Sequence, residues 1–346
     1  MHTKTFCLAV PWMALGGADR CGLDLLKLYS RRGWRTIVIA SSHNEYRHRK
    51  RTEFESVADK IYYGKDAAPF LCRERPAVIV INNSHEAYLQ IDAIRQASPQ
   101  SHISCLIHMI LPAPWDFESS IKRFEPFIDS VVTISRRLKD ELVTFGIDAN
   151  LITPIHWFGF ESVPVLENVT TNRPVIVCPF RLHKQKRPEF VIDIAAAFRR
   201  LGGDALFKFV GDGAEERNVR RRAGRFGVEE MIEFCGCQDF ADMPRYYAEA
   251  KALLCPSIDE GIPLAYFEAM QCSLPLAVSN VGAVAELVPA FYLIDLRCER
   301  EEMKYARLLQ NHLQSRSSHV SEIVRKRVAG EFSHKVWARR ISGLYR

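Results

Sequence analysis

Two glutamates in the second half of the chain have the residue type and spacing to act on a polar ligand. Glu260 and Glu268 lie eight positions apart in the segment PSIDEGIPLAYFEAM. On a continuous helix that spacing would place the two side chains roughly 80° apart, so they would not share one face. Gly261 and Pro263 interrupt the segment, because glycine permits a sharp bend and proline favours the first turn of a helix. The sequence therefore predicts Glu260 in a loop and Glu268 in the helix that follows.

A basic loop is predicted where CPFRLHKQKRP follows a hydrophobic run. Arg181 and Lys186 lie five positions apart in it. A departing diphosphate needs compact positive charge, which one guanidinium and one ammonium group can supply without a metal ion. The sequence has no Asp-x-Asp motif to hold a divalent cation, so we expect no metal. Both side chains are expected to project into solvent and to matter little for folding, and an exposed basic loop without a ligand is the alternative.

Paired glycines follow the first predicted strand. Gly16 and Gly17 fall between a strand and a helix in VPWMALGGADR. Backbone amides at such a junction, with a helix N-terminus behind them, can bind a phosphate or a sugar oxygen. The segment carries neither the dinucleotide-binding fingerprint nor the Walker pattern, so a tight turn without a ligand is the alternative.

Two segments further along are open to a purely structural interpretation. Gly211, Asp212 and Gly213 end a strand in KFVGDGAEE, and a plain turn in which Asp212 caps the next helix is the favoured interpretation. Cys235 and Cys237 lie in IEFCGCQ without a neighbouring histidine or further cysteine. Such thiols are typical of a buried strand, so we predict no metal site there.

Short β-rich hydrophobic runs alternate with longer amphipathic segments, which is typical of parallel sheets with helical crossovers. The predicted strands are TFCLAV, TIVIAS, KIYYG, AVIVIN, ISCLIH and SVVTIS in the first half, and PVIVCPF, LFKFVG, MIEFCG, ALLCPS, LPLAVS and FYLID in the second. Between the first two strands, Cys21, Leu25, Leu28 and Tyr29 recur at helical spacing before Gly33, so this segment completes a βαβ unit. The predicted fold class is α/β, with two Rossmann-like doubly wound domains that face a central cleft.

A less periodic segment at residues 148–174, with prolines near its middle and end, is predicted to connect the two domains. We accordingly predict a first domain at residues 1–155 and a second at residues 172–330. Ligands of doubly wound sheets bind at the carboxyl ends of the strands, so we expect the ligand in the cleft that these ends face.

The bulk properties agree with two domains in a reducing compartment. The chain has 346 residues, 47% of them hydrophobic, which is enough for two separate cores. Its ten cysteines lie mostly in hydrophobic runs, and no eighteen hydrophobic residues are consecutive. These features predict reduced thiols and a cytoplasmic protein without a signal peptide.

The net charge of +6 is patchy, with basic runs at 47–51, 220–225 and 325–327. Each run is expected to be a solvated face, and contact with an anionic membrane surface or a phosphorylated acceptor is the alternative. The runs lack interleaved aromatic residues and accompany no recognition motif, so we expect no nucleic-acid partner.

The order of the motifs in the second half resembles the donor-binding half of the retaining GT-B glycosyltransferases of family 4, the glycosyltransferase group 1 type. The basic loop is followed by VGDG, EFCG, YYAEAKALLCPS, EGIPLAYFEAM and VSNVGAVAELV, all within residues 174–288. The two glutamates form the E-x7-E motif of that family. In the first half, GGADRCGLDLLKLYSRRGWRTIVI resembles the family's glycine loop, helix and second strand, and VVTISRRLKDELVTFGI its last N-terminal unit.

The resemblance implies transfer of a sugar from a nucleotide-diphosphate sugar to an acceptor hydroxyl with retention of configuration, in bacterial surface polysaccharide or glycolipid synthesis. The implied partners are a UDP- or GDP-sugar donor and a glycan or lipid-linked acceptor, without a cofactor. The first domain would bind the acceptor and the second the nucleotide sugar. A C-terminal helix at residues 331–346 would pack back towards the first domain. The implied location is cytoplasmic, or peripheral on the inner face of the plasma membrane.

The same resemblance implies roles for individual residues. Glu260 would face the transferred sugar, and Glu268 would hold the ribose hydroxyls. Arg181 and Lys186 match the basic pair that neutralises the diphosphate. His108, in CLIHM, stands where the family often has a histidine near the reacting sugar, and a structural histidine at a strand end is the alternative. The implied donor-binding residues are Gly16, Gly17, Gly211, Cys235, Gly261, Ile262, Pro263, Leu264 and Glu268.

Two positions depart from the family pattern. Phe180 stands where the family usually has glycine before the arginine, and Ala283 replaces the second glycine of a common pair. The first departure bears on the packing around the diphosphate rather than on the charge. Two other functions stay open, a non-catalytic nucleotide-sugar-binding subunit and a GT-B sugar-nucleotide epimerase. The presence of both glutamates together with the basic pair favours sugar transfer.

Overall fold

The structure is a computed structural model that describes residues 4–13, 16–41, 51–110, 117–156, 166–167, 169–314 and 318–345, without the side chains of 318–323 and 327. The chain divides into two compact units. The N-terminal unit comprises Met1–Phe160 together with Phe332–Arg346, and the C-terminal unit comprises Glu161–Glu331.

The N-terminal unit is built on a seven-stranded sheet in which every pair of neighbouring strands is parallel. Its strands are β1 (Thr5–Val10), β2 (Arg35–Ala40), β3 (Lys60–Tyr63), β4 (Val78–Asn82), β5 (His102–Ile107), β6 (Ser130–Thr133) and β7 (Ile152–Pro154). The spatial order is β3-β2-β1-β4-β5-β6-β7. Strands β1 and β4 are buried along their whole length, as expected of central strands covered by helices on both faces.

Eight helices of this unit are described: α1 (Gly17–Arg31), α2 (Arg51–Glu55), α3 (Ala68–Glu74), α4 (His85–Tyr88), α5 (Ile91–Ala97), α6 (Phe117–Arg123), α7 (Arg136–Phe145) and α14 (His334–Leu344). Helix α1 buries Cys21, Leu25, Leu28 and Tyr29, the face predicted from the sequence. The ring of Tyr29 stacks on Phe6 of β1 with centroids 4.4 Å apart.

The C-terminal helix α14 belongs to this N-terminal unit. It buries Trp337 and Ile341. Just beyond it, the hydroxyl of buried Tyr345 lies 2.7 Å from the hydroxyl of Ser104 on β5, and the two groups share a hydrogen bond. The end of the chain is therefore attached to the first sheet by a buried polar contact as well as by hydrophobic packing.

The C-terminal unit has a six-stranded parallel sheet in the order β10-β9-β8-β11-β12-β13. Its strands are β8 (Val175–Cys178), β9 (Leu206–Val210), β10 (Ile232–Gly236), β11 (Ala250–Cys255), β12 (Leu276–Ser279) and β13 (Leu293–Ile294). Its helices are α8 (Pro188–Arg200), α9 (Glu216–Phe226), α10 (Met243–Glu249), α11 (Leu264–Gln271), α12 (Glu301–Gln314) and α13 (Ser318–Glu331).

The α/β class and the doubly wound order of both sheets are confirmed, and each of the predicted strands forms. The predicted connection at 148–174 was wrong at its start. Residues Ile152–Pro154 form β7, which pairs with β6 as the edge strand of the first sheet. A three-residue edge strand carries too little alternation to be told from a loop by its pattern. Much of the remaining connection, like residues 47–50 of the first basic run, lies outside the described residues.

The basic run at 220–225 lies on α9, and two of its arginines form ion pairs within the protein. Arg222 forms an ion pair with Asp193 of α8, and Arg220 pairs with Glu216 and lies over the ring of Phe234.

Within the part of the chain that the structure describes, no helix combines the length and the apolar character needed to cross a bilayer.

Candidate functional site

The strand order identifies one place in each sheet where a ligand is expected. In doubly wound sheets, ligands bind at the carboxyl ends of the two strands between which the strand order reverses. That point lies between β8 and β11 in the C-terminal unit and between β1 and β4 in the N-terminal unit. The loop after β8 carries Arg181 and Lys186, and the loop after β11 carries Glu260. The topology therefore brings the predicted basic pair beside the predicted acidic residue.

Lys186 and Glu260 form a direct ion pair between these two loops, Nζ to Oε1. Glu260 is only 6% exposed, so its carboxylate would be costly to bury without compensation. The hydroxyl of Ser257 donates a second hydrogen bond to the same Oε1 atom at 2.6 Å. Both described contacts of the carboxylate thus converge on one oxygen, which fixes the orientation of the group.

Backbone and side-chain contacts hold the two loops together next to this ion pair. The side chain of Gln185 donates to the carbonyl oxygen of Asp259 at 2.9 Å, and the amide of Ile258 donates to the carbonyl oxygen of Gln185 at 2.9 Å. The side chain of Lys186 is only 17% exposed. The loop after β8 is therefore fixed against the loop after β11 and does not extend freely into solvent.

Gly211 brings a third loop, the one after β9, against the loop that follows β8. A Cβ atom at Gly211 would overlap the carbonyl oxygen of Phe180. The side chain of Phe180 is buried and meets the ring of Phe209 edge-on, with centroids 6.0 Å apart. The bulky residue at position 180 thus packs into the core of the sheet, and only its backbone approaches the glycine turn. The predicted cap is not formed, because α9 begins at Glu216 with Glu215 as its N-cap residue.

Glu268 lies inside α11, as predicted, and is 6% exposed. The hydroxyl of Tyr247 on α10 donates a 2.6 Å hydrogen bond to its Oε2 atom. Burial, followed by the neighbouring carboxylate, raises the pKa of Tyr247 well above its usual value, so the phenol keeps its proton and acts as the donor. A carboxylate can accept several hydrogen bonds, so a buried carboxylate held by a phenol can still accept from hydroxyl groups of a ligand.

The segment Gly261–Leu264 leads into α11, and Pro263 is the N-cap residue of that helix, one position before the first-turn position expected of it. Ile262 is buried, so at that position only the backbone is a candidate contact. No side chain caps α11. The first amide groups of a helix have no partner within the helix, and they favour an anion when no side chain caps them.

Arg181 and Cys235 take no part in the contacts between these two loops. Arg181 is exposed, and its side chain forms no hydrogen bond or ion pair with the residues that the structure describes. Cys235 is on β10, two strands from β8, and its thiol lies 3.6 Å from Glu233. Burial raises the pKa of this thiol to about 11. Among the described residues, no three histidine, cysteine or acidic side chains are placed to hold a metal ion.

In the N-terminal unit, Asn82 links the predicted site residue His108 to the first turn of α1. Helix α1 begins at Gly17 with Gly16 as its N-cap residue. The side chain of Asn82, at the end of β4, donates to the carbonyl oxygen of Ala18 at 2.9 Å. Its Oδ1 atom accepts from Nε2 of His108 at 2.7 Å, which assigns the ring proton to Nε2. Asn82 therefore connects the start of α1, directly after the paired glycines, with the histidine after β5.

The sequence of the C-terminal unit has recognisable relatives. Residues 165–307 match the family described as Glycosyl transferases group 1. The match covers most of the C-terminal unit. The strand-end loops with Lys186 and Glu260, and the helix with Glu268, all lie within the matched residues.

Curated relatives share this part of the chain at low identity. A GDP-mannose-dependent alpha-(1-6)-phosphatidylinositol monomannoside mannosyltransferase of Mycolicibacterium smegmatis is 29% identical over 124 residues, 34% of this chain and 32% of that protein. The putative colanic acid biosynthesis glycosyltransferase WcaL of Escherichia coli is 24% identical over 178 residues, 49% of this chain and 44% of that protein. The chain therefore matches less than half the length of each of these relatives.

Solved structures resemble the whole chain. HepE of Anabaena, crystallised with UDP and glucose, superposes with a TM-score of 0.82 at 16% identity and covers 98% of both chains. TarM of Staphylococcus aureus, in a structure that contains UDP, superposes with a TM-score of 0.77 at 10% identity over 99% of this chain and 100% of that one. At such identities the likeness concerns the fold alone. It is the GT-B class, in which each unit has a Rossmann-like parallel sheet.

Sequence reasoning missed three residues that orient the predicted ones. Ser257 and Tyr247 hold the two glutamates of the C-terminal unit, and Asn82 holds His108. Asn82 could have been found, since a polar residue that ends a central hydrophobic strand lies where ligands bind. No local pattern distinguishes the hydroxyls of Ser257 and Tyr247 from those of ordinary core residues. The partner of Tyr247 is 21 positions away, and the contact of Ser257 with Glu260 depends on the path of the loop between them.

Acid is expected to destabilise the N-terminal unit through His108. Burial lowers the pKa of this ring from 6.5 to about 4. Between these pH values the unfolded chain therefore binds a proton at His108 more readily than the folded chain does. The contribution of neutral His108 to the free energy of unfolding is complete above pH 6.5 and is lost as the pH falls towards 4. Between pH 7 and pH 5 we expect a loss of about 2 kcal/mol from this residue.

Denaturant unfolding of the wild type and of His108→Gln at both pH values measures this contribution. The variant should lose less stability on acidification, and the difference between the two proteins removes the effects of other titrating groups. An identical loss in both proteins would show that His108 keeps its ordinary pKa in the folded state.

Proposed function

We propose that the chain is a retaining hexosyltransferase that moves a sugar from a UDP- or GDP-sugar to a hydroxyl of a glycan or lipid-linked acceptor. The names of the relatives support this, since they include a GDP-mannose-dependent enzyme and proteins of polysaccharide synthesis. The UDP in the Anabaena structure supports a nucleoside diphosphate ligand for the fold. The proposal places the enzyme in the cytoplasm of a bacterium that makes surface polysaccharide or glycolipid, in solution or at the inner face of the plasma membrane.

One observation carries the proposal. The ion pair of Lys186 with Glu260 lies where the strand order of a group 1 glycosyl transferase domain reverses, and the uncapped N-terminus of α11 follows the loop that carries Glu260. An ammonium group and the first amides of a helix suit a diphosphate. The buried carboxylate of Glu260 suits the hydroxyls of a sugar.

The reaction then requires little covalent chemistry from the protein. The bond between the anomeric carbon and the diphosphate oxygen breaks while the acceptor oxygen bonds to that carbon on the same face. The acceptor's proton passes to the departing phosphate oxygen. Lys186 and Arg181 stabilise the negative charge that develops on the diphosphate, which is the kind of preorganised electrostatic term that dominates many enzymes. Glu260 orients the transferred sugar, and no metal ion takes part.

A thermal shift screen against UDP, GDP, ADP and their common sugars tests the proposal, because a specific ligand stabilises the folded state in proportion to its occupancy. One nucleotide series should raise the melting temperature, and mass spectrometry should then detect donor hydrolysis or transfer. A stabilised protein that isomerises the donor would be an epimerase, and one that binds without turnover would be a binding subunit. No stabilisation and no hydrolysis with any donor would contradict the proposal.

Glu268→Gln is expected to weaken nucleoside diphosphate binding about 10- to 100-fold, because a neutral amide accepts weaker hydrogen bonds from ribose hydroxyls than a carboxylate does. Glutamine is the better replacement than alanine, since it keeps an acceptor for the buried hydroxyl of Tyr247. Calorimetry should also show that the preference for UDP over 2′-deoxy-UDP shrinks. Glu249→Gln, which removes an ion pair with Lys208 elsewhere in the unit, is the matched control. Unchanged affinity and preference in Glu268→Gln would place the ribose elsewhere.

A further inference from the structure

The residue directly after Lys186 has an unfavourable backbone conformation. Arg187 has φ 50° and ψ 50°, in the left-handed region, and is the N-cap residue of α8. Residues with a Cβ atom rarely adopt this conformation, because the Cβ atom crowds the following carbonyl group. The short 3₁₀ turn Lys184–Lys186 precedes it. The backbone therefore passes from a right-handed 3₁₀ turn, which ends at Lys186, to a left-handed conformation at Arg187 before α8 begins.

Side-chain contacts of Arg187 hold this conformation. Its Nη1 and Nη2 atoms donate to the two oxygens of Glu301, the first residue of α12, at 2.6 and 3.3 Å. The guanidinium also lies over the ring of Phe190, 3.8 Å from its centroid. Glu301 is itself buried, and its Oε2 atom accepts a further hydrogen bond from the amide of Arg297 at 3.1 Å. A bidentate contact to a fixed partner restrains Arg187 in direction as well as in distance.

We propose that the Arg187–Glu301 ion pair is a positioning device for Lys186. The proposal rests on the function proposed above, in which Lys186 binds the diphosphate. Lys186 and Arg187 are consecutive, so the left-handed turn decides where the Lys186 side chain can reach. When Glu301 of α12 holds Arg187 in this turn, the ammonium group of Lys186 contacts Glu260 on the loop after β11. Without it, Arg187 would relax to an ordinary conformation and Lys186 would leave that position.

Two variants separate the backbone role from a contact with the ligand. Arg187→Ala and Arg187→Gly remove the same guanidinium contacts and leave Glu301 equally unpaired. They differ because glycine adopts the left-handed conformation without steric cost, whereas alanine does not. If the ion pair acts by holding the turn, glycine should retain a function that alanine loses. If Arg187 bound the ligand itself, the two variants would be equally impaired.

Asp193→Asn is the matched control. Asp193 lies on α8 and forms a bidentate ion pair with Arg222 of α9, with both distances 2.9 Å. This pair is of the same type as Arg187–Glu301 and involves the same helix, but its hydrogen bonds join α8 to α9 and not to the basic loop. Its loss should lower the melting temperature without changing ligand affinity.

The experiment measures two quantities in full-length protein. The first is the affinity for UDP and GDP by calorimetry, where Arg187→Ala should bind the preferred diphosphate about tenfold more weakly than the wild type and Arg187→Gly should recover most of that loss. The second needs no ligand. The rate at which an amine-reactive reagent labels Lys186, read by mass spectrometry, should rise in Arg187→Ala and stay near the wild-type rate in Arg187→Gly and in Asp193→Asn.

The outcomes distinguish this proposal from the function on which it rests. A wild type that binds no nucleoside diphosphate contradicts the proposed function. A wild type that binds one, beside an Arg187→Ala variant with unchanged affinity and unchanged Lys186 labelling, overturns the positioning role alone. Equal loss of affinity in the alanine and glycine variants also overturns it, since the guanidinium would then act directly.

Discussion

Lys186→Ala is expected to lower turnover by about two to three orders of magnitude, because it removes a preorganised positive charge from the departing diphosphate. A charge that acts mainly in the transition state should affect turnover more than the affinity for the donor. The same variant should also lower the free energy of unfolding by about 2 to 3 kcal/mol, since Glu260 would keep a buried charge with Ser257 as its one described partner.

The stability effect can be separated from the effect on turnover. In Lys186→Ala/Glu260→Gln the buried carboxylate is replaced by a neutral amide that can still accept from Ser257. This double variant should recover most of the lost melting temperature and none of the lost turnover. A double variant that recovers both would mean that Lys186 only holds the loop in place.

Arg181→Ala is the matched comparison. From the sequence, neither basic side chain was expected to matter for folding, and the structure retains that expectation for Arg181 alone, because it is exposed and its side chain contacts no described polar partner. Its loss should lower turnover at an unchanged melting temperature. Full activity in both Arg181→Ala and the Lys186 variants would show that the diphosphate binds elsewhere.

The fold was predictable because its signals are local. Each strand is a short hydrophobic run bounded by turns, and α1 shows a helical repeat of buried residues, so the βαβ units could be located one at a time. Handedness and crossover rules then leave few arrangements of parallel strands. The edge strand β7 was not predicted, because three residues are too few to show an alternating pattern. It is recognised as a strand only by its pairing with β6.

The candidate site was predictable only in part, for a physical reason. Charged residues at strand ends could be named from the sequence, since topology places such ends at one edge. Which of them touch could not be named. The ion pair of Lys186 with Glu260 joins residues 74 positions apart, and the contact of Arg187 with Glu301 joins residues 114 positions apart. Such pairs depend on the path of whole loops, which no local pattern records.

Gly282→Ala is expected to destabilise the C-terminal unit by about 3 to 4 kcal/mol, the sum of a left-handed backbone cost and a steric overlap. Gly282 has φ 55°, and a Cβ atom there would overlap the carbonyl oxygen of Glu260. That oxygen belongs to the backbone, so it cannot move aside as the end of a flexible side chain would. The neighbouring Ala283, with φ −92°, needs no such freedom, which explains why the second glycine of the family's pair can be absent.

Gly227→Ala supplies the control within the same unit. Gly227 has φ 63°, and a Cβ atom added there would meet no described atom within 4 Å, so alanine should cost only the backbone term, about 1 to 2 kcal/mol. The difference between the two melting-temperature shifts isolates the overlap with Glu260. Because the loop that carries Glu260 must shift in Gly282→Ala, that variant should also lose nucleoside diphosphate affinity, whereas Gly227→Ala should keep it. Equal melting-temperature shifts in the two variants would mean that the loop after β11 moves at little cost in free energy. The position of Glu260 would then be fixed by Lys186 and Ser257 alone.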